Sequence, residues 1–272
     1  CSFTLWIDLN TQGKEGIEMI KTIASAVKQA VFSKSFLVSW IGVVAIIAVS
    51  SIQQILEAFR ADELLMIGFH DTFIANALVS DSMTLALPIL AALPFTASFV
   101  DDVKSGYIKA YLPRTTRLNY LTGRCVACAV SGGLVLALGI LVSYVISALV
   151  FLPMEAPLPK DVKAPSYFAE LMENVMLFFC SGAFWSCVGL TFATLTSSKY
   201  MAYASPFVLY YVLIILYERY FDALYVLYPK EWTAPTKEWM WGSFGIVLLL
   251  LELTIIVCLA FGIAAQRRLS QI

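Results

Sequence analysis

The sequence predicts an all-α membrane protein with six transmembrane helices, an N-terminal amphipathic helix at the membrane interface and a cytoplasmic helix between the second and third spans. Composition is the first observation behind this prediction: 60% of the 272 residues are hydrophobic, 14% are charged, and the mean hydropathy is +0.81. The core of a soluble domain of this length cannot bury so much apolar surface. The other two observations are charge-poor windows of bilayer length and an uneven distribution of Lys and Arg between the connections.

The N-terminal arm, residues 1–34, is expected to lie on the membrane surface. Over 16–34 apolar residues recur at the spacing of one helix face, and lysines occupy the opposite face. The apolar face holds Ile17, Ile20, Ala24, Val27 and Val31. Such a helix can rest in the interface with its lysines towards the lipid headgroups. A helix packed on a soluble partner is the alternative.

Six windows are long and apolar enough to be transmembrane helices. A helix rises about 1.5 Å per residue and needs roughly 20 residues to cross a hydrocarbon core of about 30 Å. The windows are 35–56, 82–100, 125–150, 174–197, 200–217 and 240–265. Pro88 and Pro94 are expected to kink the second window, and little more than Lys199 separates the fourth from the fifth. Since no charge-rich linker marks a further domain, residues 35–272 form one membrane domain.

Small residues in the third and fourth windows permit close approach of neighbouring helices. They are Ser131, Gly132, Gly133, Gly182 and Ser186. Packing explains them adequately, so no functional role is assigned to them.

The positive residues predict the orientation. With the N-terminus inside, the cytoplasmic segments hold twelve Lys and Arg and the outer segments hold six. The outer segments also carry thirteen of the 19 acidic residues. Because cytoplasmic loops carry the excess of Lys and Arg, both termini are expected in the cytoplasm, with the chain in the inner membrane of a bacterium.

The six cysteines are interpreted as buried thiols that pack as small hydrophobic groups. Cys180, Cys187 and Cys258 lie inside apolar windows, and Cys125 and Cys128 begin another window as a C-x-x-C pair. The pair has no second C-x-x-C and no histidine nearby, so packing is favoured over redox or metal chemistry.

Catalytic motifs are absent from the sequence, which has no phosphate-binding G-x-x-x-x-G-K-[ST], no nucleophile elbow and one histidine, His70. Glu252 lies near the middle of the sixth window, where Asp, Lys or Arg cost about 2.5 to 3.5 kcal/mol on insertion scales. It is therefore expected to face protein or a water-filled path. Two interpretations stay open: a proton-sensitive group in a substrate pathway, or a neutral glutamic acid bonded to a neighbouring helix or to its mate in a dimer.

The segment 101–124 is the longest connection on the predicted cytoplasmic side. It carries five basic residues, Lys104, Lys109, Arg114, Arg117 and Arg124. Gly106 can turn the backbone, and an apolar face follows that consists of Tyr107, Ile108, Tyr111 and Leu112. This pattern is equally compatible with a helix that docks into a groove of a cytoplasmic protein and with a basic loop that touches anionic lipid.

A resemblance favours docking. The run Asp102-x-Lys104-Ser105-Gly106-Tyr107-Ile108-Lys109, followed by Arg117-x-x-Tyr120-Leu121-x-Gly123-Arg124, resembles the segment between the second and third spans of ABC-2 type permeases. In that family an acidic residue precedes a Gly, and an Arg and a Tyr-x-x-Gly-[Lys/Arg] lead into the third helix. The family often has Thr after the Gly, where this chain has Tyr107.

The resemblance implies the membrane subunit of an ABC exporter, without enzymatic activity of its own. Two permease subunits, identical or related, would pair in the bilayer, and each would dock a separate ATPase subunit that binds ATP and Mg²⁺. A coupling helix and its flank would form the contact, with Asp102, Lys104, Ser105, Gly106, Tyr107, Ile108, Lys109 and Arg117. The expected cargo is an amphipathic or lipid-like compound, a drug or an antimicrobial peptide, and no nucleic-acid partner is expected. A non-catalytic scaffold or sensor subunit and an intramembrane enzyme that uses Glu252 are the rival hypotheses.

Overall fold

Helices dominate the computed structural model, which describes residues 2–60, 64–111, 113, 115–157, 167–221 and 224–270. Side chains are described from Gly16 onward, apart from Ile17 and Tyr167. The α-helices are α1 Ser2–Val31, α2 Lys34–Ser50, α3 Ile52–Arg60, α4 Phe69–Val79, α5 Asp81–Ala92, α6 Ser98–Lys104, α7 Tyr107–Tyr111, α8 Arg117–Phe151, α9 Tyr167–Thr196, α10 Lys199–Arg219 and α11 Ser243–Leu269. The described residues form no β-strand beyond an isolated bridge between Leu65 and Glu155.

α9 is the central helix. Helices α8 to α11 are each long and apolar enough to cross a membrane, and α5, α8, α10 and α11 pack around α9. In α9, 78% of the most apolar stretch is buried, against 22% in α11. α11 therefore lies at the edge of the bundle and leaves most of its surface to lipid or to another protein. α10 and α11 begin and end within a few residues of their predicted windows.

α8 begins earlier than its window predicts, at Arg117 instead of residue 125. The Thr116 hydroxyl caps it by accepting a hydrogen bond from the Asn119 N–H at 3.3 Å. Its 35 residues span about 50 Å, which exceeds a hydrocarbon core of about 30 Å. α8 is therefore longer than one span needs, and its first turns, which carry Arg117 and Arg124, are its charged end. They place Tyr120 and Arg124 on a helix.

The small residues of α8 and α9 meet at a close crossing, as expected. A Cβ on Gly132 would lie 2.5 Å from the Ser186 Cβ, and one on Gly182 would lie 2.6 Å from the Gly132 carbonyl oxygen. The Ser186 hydroxyl donates to the Cys128 carbonyl at 3.0 Å. The prediction of close helix approach is confirmed, because a side chain larger than hydrogen at either glycine would collide with the facing helix.

The first two predicted spans are each interrupted. The window 35–56 contains α2, which ends at Ser50, and the start of α3. The window 82–100 contains α5, turns over 93–97 and the start of α6, so α5 passes through Pro88 and ends before Pro94. α2 bends by 55° from α1, and α5 bends by 69° from α4. The structure thus has four helices of membrane-spanning length and composition, or six when each bent pair counts as one span.

α1 is longer than the predicted amphipathic helix, since it begins at Ser2 instead of near residue 16. Val27 and Ala30 pack beside the first turns of α8, while Ile20 and Ala24 of the predicted apolar face stay exposed. Ile17, also assigned to that face, lies outside the described side chains. The exposed part of the face suits a helix that rests against lipid.

The cysteine interpretation is wrong for one pair. A disulfide joins Cys125 of α8 to Cys258 of α11, across 133 residues of sequence. Cys128, Cys180 and Cys187 are buried free thiols, as expected. Packing brought the two bonded sulfurs together from different windows, and the spacing of cysteines along the chain carries no sign of this.

Candidate functional site

The candidate site lies at the end of the bundle where α8 begins and α11 ends, called here the basic end. Its cationic residues include Lys104, Lys109, Arg117, Arg124, Lys199, Arg267 and Arg268. The short helices α6 and α7 meet there at Gly106, which has a φ of +74° and therefore sits in the left-handed region that glycine tolerates. The turn at Gly106 therefore separates α6 from α7.

A buried ion pair connects α6 to α8. The Asp102 carboxylate pairs with the Arg124 guanidinium and accepts a hydrogen bond of 2.5 Å from the Tyr120 hydroxyl. The side chains of Asp102 and Arg124 are 15% and 6% exposed. Charge-assisted hydrogen bonds of this kind are the strong ones, and removal of one partner would leave a charge buried without compensation.

The Arg124 guanidinium makes three further contacts that fix its position. It donates to the Gln29 side-chain oxygen of α1 at 3.3 Å, and it lies 5.1 Å from the Phe95 ring centre and 5.4 Å from that of Tyr120. Cations within about 6 Å of an aromatic face are attracted to it. Arg124 thereby joins α1, the turn before α6 and α8.

A second ion pair connects α6 to α10. Asp101, next to Asp102 in sequence, pairs with Lys199 at the start of α10. The two side chains are about half exposed, at 49% and 50%. Exposed pairs contribute little to stability, so this contact orients α6 more than it stabilises it.

The residues predicted for docking divide into exposed and buried groups. Lys104, Ser105, Gly106, Lys109 and Arg117 are exposed. Tyr107 is 46% exposed and stacks on Tyr111 with ring centres 5.4 Å apart.

Ile108 departs from the predicted docking face. It is 1% exposed and packs among residues of its own chain, so it does not offer the apolar anchor that was expected. Leu112, assigned to the same face, lies outside the described residues. In a helix as short as α7, one side has to cover the bundle beneath it, and Ile108 is on that side.

Glu252 does not face the interior of its own chain. It lies on α11 with an exposed side chain, between the exposed Leu251 and Ile255. No hydrogen bond or ion pair to it occurs within the described residues. The expectation that Glu252 faces protein is therefore not met within a single copy of the chain.

His70 and Glu155 form another polar cluster at the end opposite the basic end. The Glu155 carboxylate accepts from the His70 backbone N–H at 2.8 Å and the Gly68 N–H at 3.0 Å, and it contacts the His70 Nδ1 at 2.7 Å. Burial by itself raises the pKa of the Glu155 carboxyl, but these hydrogen bonds outweigh burial and lower the pKa below its ordinary value. The carboxylate holds the start of α4 against the segment after α8.

The cluster at the basic end is suited to mechanical connection. The acid, the guanidinium and the phenol of Asp102, Arg124 and Tyr120 contact one another, so none is left as an available nucleophile or base. Tyr120 and Arg124 were not among the predicted docking residues, although both belong to the motif that carried the resemblance. Their positions 18 and 22 residues after Asp102 gave no sign of contact, because the packing of α6 against α8 decides it.

The fold and the apolar surface define a helical membrane protein. Compared with protein-family models and with curated proteins, the chain shows no significant match.

Proposed function

We propose that this chain is the permease subunit of an ABC exporter of the ABC-2 type, with a separate ATPase subunit docked on residues 101–124. We further propose that the chain crosses a bacterial inner membrane six times, with both termini and the basic end on the cytoplasmic side. Its cargo would be an amphipathic or lipid-like compound, a drug or an antimicrobial peptide. ATP and Mg²⁺ would bind to the partner.

One observation carries the proposal. The two halves of the sequence motif, Asp102 on one side and Tyr120 with Arg124 on the other, are in direct contact. This contact supports one shared role for the two halves: they hold the loop after the second span against the third span. A loop held in this way can pass on a displacement, whereas a basic loop that only touches lipid does not need a buried ion pair.

α7 supports the docking role because of what it leaves exposed. Tyr107 is exposed beside a glycine turn, and Lys104 and Lys109 flank it. Exposed aromatic residues are enriched at protein contacts, and charged residues such as these lysines belong to the polar rim. With Ile108 buried underneath, the docking surface is smaller than the sequence predicted and centres on Tyr107.

An apolar groove away from the basic end supports the proposed class of cargo. The groove has a volume of about 240 Å³ and is lined by side chains of α2, α3, α4 and α8. Its lining includes Val44, Ile47, Phe59, Phe73, Val150 and Phe151, with Ser143 and Ser147 as the polar members. A groove with so few polar groups favours acyl or other hydrocarbon parts of a ligand.

The exposure of Glu252 supports pairing with a second permease subunit. A carboxyl group near the middle of a span is unfavourable towards lipid, and the surface of α11 around it is uncovered in one chain. We assign this surface to the contact with the second subunit, which would supply a hydrogen-bonding partner.

Copurification tests the proposal. An ATPase subunit should copurify from native membranes with the wild-type protein in detergent, and Tyr107→Asp should abolish its recovery. Tyr200→Asp is the matched control, because Tyr200 is 86% exposed at the start of α10 at the same end of the bundle. Gly106→Trp is a second disrupting variant, since a side chain there meets nothing within 4 Å and alters only the surface and the left-handed turn.

The outcomes separate the proposal from its rivals. An intact complex with both Tyr107→Asp and Gly106→Trp would refute docking on α7. A complex whose ATP hydrolysis responds to no amphipathic compound would indicate a scaffold or sensor subunit. Turnover by the purified chain alone, lost in Glu252→Gln, would indicate an intramembrane enzyme.

A further inference from the structure

Four of the five described cysteines, Cys125, Cys128, Cys187 and Cys258, gather at one place between α8, α9 and α11. Three of them, Cys125, Cys187 and Cys258, have sulfur atoms that all lie within 4.8 Å of one another. Each of these three comes from a different helix. The fifth, Cys180, lies on α9 about two turns from Cys187 and takes no part.

The distance between two of the sulfurs fits a shared cation. The Sγ atoms of Cys187 and Cys258 are 3.7 Å apart. In a tetrahedral zinc site with Zn–S bonds of about 2.3 Å, neighbouring sulfurs lie about 3.8 Å apart.

A fourth cysteine lies next to this group, although its sulfur is not within 4.8 Å of all three. The Cys128 thiol is within hydrogen-bonding reach of Cys187 and donates to the Ser186 carbonyl at 3.4 Å. It belongs to the same C-x-x-C as Cys125, which places both sulfurs on one side of α8 about one turn apart. C-x-x-C pairs are frequent halves of thiolate metal sites.

We propose that the reduced chain binds one thiophilic d¹⁰ cation, Zn²⁺ or Cu⁺, through Cys125, Cys187 and Cys258, with Cys128 as the fourth ligand. Thiolates select these soft cations over Mg²⁺ and Ca²⁺. The cation offsets the negative charge that several buried thiolates would otherwise carry. The site joins α8, α9 and α11, so its occupancy stabilises the contact of the edge helix α11 with the core.

The disulfide between Cys125 and Cys258 is the oxidised alternative of the same site. A dithiol reductant gives two electrons and two protons to this bond and becomes a disulfide itself, which frees both thiols. Cation binding then releases one proton from each thiol that coordinates. Because one pair of sulfurs cannot be bonded to each other and coordinate the cation as thiolates, oxidation and metal binding exclude each other.

Metal content of the purified chain tests the site. The full-length protein in detergent is reduced with a dithiol, freed of reductant under anaerobic conditions, mixed with Zn²⁺ or with Cu⁺, desalted and analysed for bound metal. We expect one cation per chain, and the arm with the higher affinity identifies the preferred cation. Protein left oxidised should bind none.

Cysteine variants decide whether the bound metal occupies this site. Loss of one ligand should weaken binding by more than about tenfold, since even partners outside the ligand shell cost ten- to a hundredfold. We expect this loss in Cys187→Ser and in Cys258→Ser, and unchanged binding in Cys180→Ser, which removes a buried thiol from α9 outside the cluster. Full binding by both cluster variants, or no binding by the reduced wild type in either arm, would overturn the proposal.

A measurement on the wild type guards against misfolded variants. The reduced protein is treated with a membrane-permeant maleimide with and without the cation, denatured, and analysed by mass spectrometry. We expect the cation to protect Cys187 and Cys258 and to leave labelling of Cys180 unchanged. Equal labelling of all three with and without metal would contradict the site, whatever the variants do. None of these experiments depends on the ATPase partner.

Discussion

Substitution of Asp102 by Ala tests the cluster at the basic end most directly. The change removes the carboxylate that pairs with Arg124. Because the Arg124 side chain is 6% exposed, this leaves a buried positive charge without its partner. Breaking a buried pair by removal of one partner costs about 3 to 5 kcal/mol. At about 2 to 4 °C per kcal/mol, the Tm of the detergent-solubilised protein should fall on the order of 10 °C.

Asp101→Ala is the matched control, because the same residue type is removed one position away from an exposed pair with Lys199. Such pairs contribute little, so its Tm should stay close to that of the wild type. The double variant Asp102→Ala with Arg124→Met removes both charges and should recover much of the loss. Equal shifts for Asp101→Ala and Asp102→Ala, or a double variant that loses the sum of both single changes, would refute the reasoning.

Three further predictions concern other places in the chain. Glu155→Gln should lower the Tm near neutral pH. Because the pKa of Glu155 in the folded protein lies below the ordinary 4.5, the difference in Tm from the wild type should persist down to about pH 4.5 and should close as the pH falls through the folded pKa. A constant difference down to pH ~3 would contradict this. Gly182→Leu should prevent the close crossing of α8 and α9, since even a Cβ at this position would lie 2.6 Å from a facing carbonyl oxygen. We expect this variant to elute as aggregate in size-exclusion chromatography. Gly262→Leu is the control and should elute normally, because a Cβ there would have nothing within 4 Å. Under the proposed function, Glu252→Leu should leave each chain folded and weaken the association of two subunits in native mass spectrometry, while Glu252→Gln should retain it. Equal association of both variants would exclude a hydrogen bond at this position.

The later helices were the predictable part of the fold. α10 and α11 follow from apolar windows bounded by charges such as Lys199 and Arg267, because charged residues end a membrane-buried stretch. The first two windows were not predictable to the same degree. Pro88 and Pro94 predicted a kink in the second window, but the break after Ser50 depends on a turn that hydropathy does not register.

The candidate site was predictable as a segment but not as a set of contacts. The motif from Asp102 to Arg124 marked the region, and the charges of Lys104 and Lys109 are exposed as expected. The burial of Ile108 depends on how α7 packs on the bundle, and the pairing of Asp102 with Arg124 depends on how α6 packs against α8. The meeting of Cys125 and Cys258 depends on the packing of helices that are 133 residues apart in sequence.

The two adjacent aspartates show how a short helix can connect the loop to the whole bundle. Consecutive residues of a helix point about 100° apart, so α6 directs Asp102 to Arg124 of α8 and Asp101 to Lys199 of α10. α8 and α10 both pack on α9. Under the proposed function, a partner that displaces α7 also displaces α6, and the buried pair transmits this movement to α8 more firmly than the exposed pair transmits it to α10. Asp102→Asn should therefore uncouple ATP hydrolysis from transport while the ATPase stays bound, whereas Asp101→Asn should leave both activities coupled. Equal transport per ATP in reconstituted vesicles of the two variants would show that the buried pair serves stability alone.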